Sequence, residues 1–207
     1  MMFLITTHAF AREYVPGLYK IDVDHSKVGF MIPYLIITTV EGKFTKLDGT
    51  INLHKNFQET QIEVEVETSS IDTDVTKRDD HLKSTDFFDV EKYPKMFFKS
   101  VRIDGPKEHF KLIGDLTIKG ITRRVEFDTV FLGVVSSSYG NDKAAFLGRA
   151  KINRKDYGIN WNKVVEGSEV IGDDVEIELK VLASKPSKEG IKLFGSVLEI
   201  SGLKGGR

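Results

Sequence analysis

The run Lys77–Pro94, KRDDHLKSTDFFDVEKYP, is the densest knot of charge and aromatic character in the chain. Arg78, Asp79, Asp80, His81, Ser84, Asp86 and Asp89 could serve general acid–base catalysis, in which a positioned carboxyl or imidazole gives or takes a proton. The same carboxylates and imidazole could ligate a divalent metal. The spacing supports neither chemistry. Asp79, Asp80 and His81 are consecutive, so on a helix their side chains diverge instead of converging on one atom. Nothing in the sequence separates an acid from a base among Asp79, Asp80 and Asp86. A solvated face on a short helix or turn is the better account, with Phe87 or Phe88 tucked inward.

Other candidate chemistry is equally thin. His25-Ser26, with Asp22 and Asp24 nearby, carries the residue types of a nucleophilic triad. A triad is defined by geometry, and neighbours entering a strand point to opposite faces. No G-x-S-x-G elbow occurs. The five histidines, His8, His25, His54, His81 and His109, include no pair at H-x-H or H-E-x-x-H spacing, so no metal site is expected. The absence of cysteine excludes disulfides, thiol catalysis and thiolate ligands. Asp72 and Asp74 read as turn and cap residues. Gly114–Gly120, GDLTIKG, opens no helix and so builds no phosphate cradle. With 30 basic and 31 acidic side chains the net charge is −1, and Lys95–Arg102 alternates as a strand does, so no nucleic-acid partner is indicated.

The elements that hold these residues are mostly strands. In TQIEVEVET, Ile62, Val64 and Val66 face one way and Glu63, Glu65 and Glu67 the other. Val28, Phe30 and Ile32 alternate likewise, Ile51 and Leu53 share a face, and the pattern recurs in five later runs. Turn signals separate the runs at Leu47-Asp48-Gly49, Asp104-Gly105-Pro106, Lys119-Gly120 and Tyr139-Gly140-Asn141. This gives eight or nine strands, each with one oily and one charged face. There are too few helices to cover an open sheet, so an all-β, closed antiparallel barrel follows. Helix is expected only at Thr76–Ser84 and, more weakly, in the tail from Lys188 to Leu203. No stretch approaches the ~18 apolar residues of a spanning helix.

The 207 residues fit one domain with tails. Residues 1–17 form an N-terminal segment in which Ala9-Phe10-Ala11 has the small-x-small form of an export cleavage site, although a basic n-region is missing. The barrel should occupy residues 18–183, and residues 184–207 form a tail of unassigned role. An eight-stranded barrel is either just filled by side chains or holds one small ligand. The inward faces carry Phe30, Phe44, Phe98, Phe127, Phe131 and Phe146, with Gly42, Gly114 and Gly148 in or beside the same strands. Pattern alone leans toward a packed core.

A set of ordered motifs then becomes specific. Tyr19-Lys20-Ile21-Asp22 with His25-Ser26-Lys27-Val28-Gly29-Phe30, Val40-Glu41-Gly42-Lys43-Phe44, Ser70-Ile71-Asp72-Thr73, and Arg78-Asp79-Asp80-His81-Leu82-Lys83-Ser84 are followed by Asp86-Phe87-Phe88-Asp89 and Tyr93-Pro94. Phe98-Lys99-Ser100, Gly114–Thr122, Ile152-Asn153-Arg154, Tyr157-Gly158 and Val170–Val175 complete it. From about Tyr19 to Ala183 the chain resembles the YceI-like family of lipocalin-like, polyisoprenoid-binding proteins. One departure stands out: Ile32-Pro33-Tyr34-Leu35 occupies a place where the family leads us to expect a histidine, which bears on head-group preference.

The resemblance implies a barrel holding a long isoprenoid, polyprenyl quinone or acyl chain as ligand, with no catalysis, no metal and no other cofactor. It implies a periplasmic or secreted location and shifts the core-versus-pocket question toward a pocket. The residues expected to meet the ligand are Phe30, Ile36, Phe44, Phe87, Phe98, Leu116, Phe127, Phe146 and Trp161, with His81 at a head group. Adjacent strand residues cannot both point in, and of Phe97 and Phe98 the resemblance implies Phe98, the member that matches the family motif. Related barrels often pair, and an exposed strand such as Thr60–Thr68 could mediate a homodimer. Two other functions remain open: an enzyme acting on an isoprenoid lipid through His81 with Asp79 or Asp80, and a solid-cored interaction or adhesion module.

Overall fold

Each strand hides its apolar face by closing the sheet on itself. The structure, a computed structural model, describes residues 14–35, 37–136, 141–165 and 168–185. The described strands are β1 (Gly17–Ile21), β2 (Lys27–Tyr34), β3 (Thr38–Phe44), β4 (Leu47–Leu53), β5 (Gln61–Glu67), β6 (Ile71–Asp72), β7 (Lys95–Asp104), β8 (Phe110–Ile118), β9 (Ile121–Ser136), β10 (Asp142–Asn153), β11 (Val164–Val165), β12 (Ser168–Glu169) and β13 (Asp174–Ser184), with one helix, α1 (Thr76–Lys83). All pairings are antiparallel, and β11 and β12 form a separate small hairpin.

The ring has eight members because three of its strands are broken in two. β1 and β2 are one member, since β4 pairs β1 while β3 pairs β2, and β13 pairs both. By the same logic β3 and β4 form a second member, and β5 and β6 a third. β7, β8, β9, β10 and β13 complete the circuit. Side-chain hydroxyls replace ladder bonds where two of the breaks occur. Ser26 Oγ donates to Leu182 O (3.1 Å) and accepts from Leu182 N–H (3.0 Å). Ser70 Oγ donates to Glu67 O (2.6 Å) and accepts from Lys46 N–H (3.1 Å). Buried backbone groups must find partners, so each serine lets its strand bend without leaving an orphan.

Several expectations are corrected here. Leu47-Asp48-Gly49 is not a turn but the start of β4. Gly49 serves close strand approach: a Cβ there would lie 2.5 Å from Glu63 O and 3.0 Å from Ile21 Cδ1. Within Thr60–Thr68, β5 is paired to β4 and β7, so the run is no sheet edge and only its outward face is open to a second copy. Its glutamates are also engaged, Glu63 with Lys99 (2.8 Å) and Glu65 with Lys95 (2.6 Å). His25 hydrogen-bonds Asp22 at 2.8 Å, yet Ser26 is spent on the Leu182 backbone, so no triad assembles. The N-terminal export motif and the tail's weak helix lie outside the described residues, as do Tyr139 and Gly140.

Inside the ring the apolar side chains form two clusters. One is a solid plug at one end, built on Tyr19, Leu53, Phe57, Ile103, Phe110, Phe131 and Phe146. Phe57 and Phe110 meet edge-on at 4.9 Å, and Phe131 and Phe146 lie 5.0 Å apart. The other cluster surrounds Phe44, Phe87, Met96, Ile118, Tyr157 and Ile159 beneath α1. Val64, Leu116, Ile152 and Val181 touch both clusters and are only partly buried. They form the waist of the barrel.

Candidate ligand cavity

Side chains that sit inside a closed barrel yet remain partly accessible must face an internal space. That space has a volume of about 630 Å³, within the ~300–1,000 Å³ usual for ligand pockets. Its walls are the inward positions of the strands: Val28, Phe30 and Ile32; Ile62, Val64 and Val66; Leu112 and Leu116; Ile177, Leu179 and Val181. The alternation that made each strand amphipathic therefore supplies an almost wholly apolar lining.

Glycines keep this lining recessed. A Cβ on Gly42 would sit 2.3 Å from Phe30 Cζ, and one on Gly114 would sit 2.4 Å from Phe98 Cζ. Each ring thus occupies the space that a side chain on the facing strand would fill. The rings lie against the wall and leave the lumen free. Phe98 also meets Phe127 edge-on at 5.5 Å, while Phe97 points outward and is 46% exposed.

The mouth is built by three segments. The first is α1 and the turns that follow it. Asp79 is buried and accepts from Thr73 N–H (2.9 Å) and Thr73 Oγ1–H (2.6 Å). Arg78 donates from Nε to Thr73 Oγ1 and from Nη2 to Thr73 O, both at 2.7 Å. These bonds anchor the helix start, so Leu82, Phe87 and Phe88 turn into the cavity. The second segment runs from Arg154 to Asp173. Arg154 is 4% exposed and donates to Gly172 O (2.9 Å), Ile159 O (2.7 Å) and Trp161 O (2.8 Å), and pairs with Asp173 Oδ1 (3.2 Å). A buried guanidinium is stable only when its fork of donors is used in this way. Here it fixes the backbone that carries Trp161. The third segment is the β2–β3 hairpin, which contributes Ile32, Tyr34 and Val40.

Polar groups reach the cavity mainly at this mouth. His81 Nε2 lies 2.9 Å from Asp86 Oδ2, and its ring stands edge-on to Trp161 at 4.8 Å and to Phe87 at 5.0 Å. The expected partnership of His81 with Asp79 or Asp80 does not form, because Asp79 is committed to Thr73 and the carboxylate in reach is Asp86. Lys77 and Arg78 stand on the same rim. Tyr157 also borders the space, but its hydroxyl is packed away and has no hydrogen-bond partner; burial pushes its pKa up to about 12. Among the described residues no group of three or more His, Cys, Asp or Glu side chains converges as a metal site.

Of the residues singled out from sequence, Phe30, Phe44, His81, Phe87, Phe98, Leu116, Phe127, Phe146 and Trp161 all line this one cavity. Ile36 lies outside the described residues. Phe131, read as inward, is inward but belongs to the solid plug.

An eight-stranded antiparallel barrel with a hollow apolar half and a helical rim can now be compared with known proteins. The YceI-like domain profile matches residues 19–183. A UPF0312 protein of Staphylococcus aureus strain N315 is 36% identical over 166 residues, covering 77% of this chain and 93% of the relative. The chain belongs to the YceI-like family. Among solved structures, the Campylobacter jejuni YCEI protein superposes with a TM-score of 0.65 at 29% identity, over 84% of this chain and 99% of that one. A polyisoprenoid-binding domain from Saccharophagus degradans shares the fold with a TM-score of 0.63 at 13% identity, over 81% of this chain and 98% of that one.

Sequence reasoning overlooked two parts of this YceI-like site. Arg154 was visible only as a family motif, since its partners lie 5 to 19 residues further along the chain. Tyr34 was noted only within the Ile32–Leu35 departure and Val75 carried no signal, and only the closure of the barrel brings them to one opening.

Proposed function

We propose that the protein binds a long apolar chain (a polyisoprenoid, a polyprenyl quinone or an acyl lipid) in the barrel interior and sequesters or carries it without catalysis. The observation that carries this reading is the 630 Å³ cavity, walled by aliphatic and aromatic side chains, with most of its polar groups at one mouth. A chain threaded into it gains about 0.8 kcal/mol per buried CH₂, so about ten methylenes contribute about 8 kcal/mol before the entropic cost of association. His81 and Lys77 stand where the polar end of such a ligand would emerge. The polyisoprenoid-binding description of the Saccharophagus degradans relative fits the same chemistry, and the family resemblance supports a periplasmic or secreted setting.

The unfilled interior speaks against a solid-cored adhesion module. Lipid turnover through His81 with Asp79 or Asp80 finds no support, since the carboxylate beside His81 is Asp86. Trp161 is the sole tryptophan and borders the cavity, so its fluorescence reports occupancy. Titration with a polyprenol or a fatty amide should change its emission saturably, and native mass spectrometry should show one ligand per barrel. A protein that takes up neither class, and releases no lipid on solvent extraction, would refute the proposal.

A further inference from the structure

We propose that the tip of the β2–β3 hairpin, Leu35 and Ile37, is a membrane-docking element that seats the cavity mouth on a lipid bilayer. The inference rests on reading the cavity as a site for an apolar lipid. It starts from a conflict between residue type and turn geometry. Leu35 has φ = 53°, a left-handed conformation that favours glycine or asparagine and is unusual for a bulky side chain. The tip of a tight hairpin is normally polar. Here it reads Leu35-Ile36-Ile37, with Ile37 87% exposed and Leu35 44% exposed. The strained turn is held in place: Leu35 N–H donates to Val170 O (2.8 Å) and Gly172 N–H to Pro33 O (2.9 Å). The fold therefore supports an apolar group where neither turn chemistry nor the core calls for one.

The occupant follows from what adjoins the tip. Tyr34, next to Leu35, and Val75, at the start of α1, are both exposed and both line the cavity. The apolar tip thus adjoins the cavity mouth through Tyr34, which precedes Leu35 and lines the lumen. Exposed Lys77 stands on the same rim, where an ammonium can meet lipid phosphates while the aliphatic tip enters the acyl boundary. A water-insoluble ligand stored in a bilayer could then slide along this path without crossing bulk water. A protein partner would also be attracted to the tip, but it would give no reason for continuity with the lumen.

The test is flotation of the full chain with vesicles of phosphatidylethanolamine and phosphatidylglycerol, comparing wild type with Leu35→Gly/Ile37→Ser. Glycine relieves the positive φ, so the variant keeps its fold. Both proteins are also titrated with a dansylated fatty acid added from ethanol, followed by Trp161 emission. The wild type should float, and the variant should partition at least about tenfold more weakly, as expected for removal of two aliphatic side chains. Probe affinity in solution should be equal in the two proteins. Absence of flotation by the wild type, or equal flotation by the variant, would overturn the proposal. So would a dimer in sedimentation velocity that the variant dissolves, since the tip would then be an interface between copies. Tip-dependent flotation with no probe uptake by either protein would support docking and sink the lipid reading of the cavity alone.

Discussion

Replacing Val64 by phenylalanine separates a hollow barrel from a filled one, because the two cases predict opposite changes in stability. Val64 stands at the waist, touches both apolar clusters and lines the cavity. The substitution adds roughly four carbons, worth ~0.8 kcal/mol each when buried, or about 3 kcal/mol at most. In an unfilled lumen the ring has room, so the ligand-free protein should hold its stability or gain about 1–2 kcal/mol. The same volume is denied to the ligand, so affinity should fall by about 1–3 kcal/mol, or roughly fivefold to 150-fold. Ile103→Phe in the solid plug is the control, since overpacking a filled core costs about 1–3 kcal/mol. Urea unfolding gives the stabilities, and Trp161 fluorescence titration with a polyprenol gives the affinities. The reasoning fails if Val64→Phe loses as much stability as Ile103→Phe, or if it binds as tightly as wild type.

Arg154→Ala strips donors from the carbonyls of Gly172, Ile159 and Trp161 and leaves Asp173 with Lys155, so it should cost about 3 kcal/mol in urea unfolding and alter Trp161 emission before any ligand is added. Tyr157→Phe removes a buried hydroxyl that has no partner and should be neutral or stabilising by up to about 1 kcal/mol at pH 7. Because burial raises the Tyr157 pKa from 10.0 to about 12, the unfolded chain releases this proton first as pH rises. Stability is therefore full below pH ~10 and declines toward pH ~12, and stability curves of Tyr157→Phe should lack this contribution. Gly42→Ala places a methyl group 2.3 Å from Phe30 Cζ and forces that ring into the lumen. It should weaken binding of a long chain about tenfold in the same fluorescence titration while changing stability by no more than about 1 kcal/mol.

The barrel and most of its lining were legible because the strand period is two and the interior is oily. Once Ile62, Val64 and Val66 are placed on one face, the fold leaves them nowhere to go but inward. The same period says that only one of Phe97 and Phe98 faces in, and the family motif, not the period, picks Phe98. The breaks in the ring were not legible, since they depend on Ser26 and Ser70 bonding to strands distant in sequence. Gly49 misled because a glycine required by a passing strand looks the same, in sequence, as one required by a turn. His81 lines the cavity, and the carboxylate beside it is Asp86. Consecutive helix residues diverge, so Asp79 and Asp80 were poor partners for it, and the turn after α1 brings back Asp86 instead.

The hollow half and the solid half are built from the same residue types, so composition cannot be what separates them. In the plug, Phe57, Phe110, Phe131 and Phe146 project toward one another and fill the cross-section. At Phe30 and Phe98 the rings instead fold into notches left by Gly42 and Gly114, so equally large side chains thicken the wall without crossing the lumen. Close-packed interiors normally admit few voids larger than a water molecule. A cavity of 630 Å³ gives up contacts that a simple Gly→Ala or Val→Phe change could begin to recover. What keeps it open is a specific pairing of glycine with phenylalanine across strands, and what frames its entrance is a buried arginine and a buried aspartate that serve only backbone and neighbouring polar groups. The charged run at residues 77–94 belongs to that frame: Asp79 and Asp86 bond to Thr73 and His81 on the rim, and Phe87 and Phe88 face the lumen.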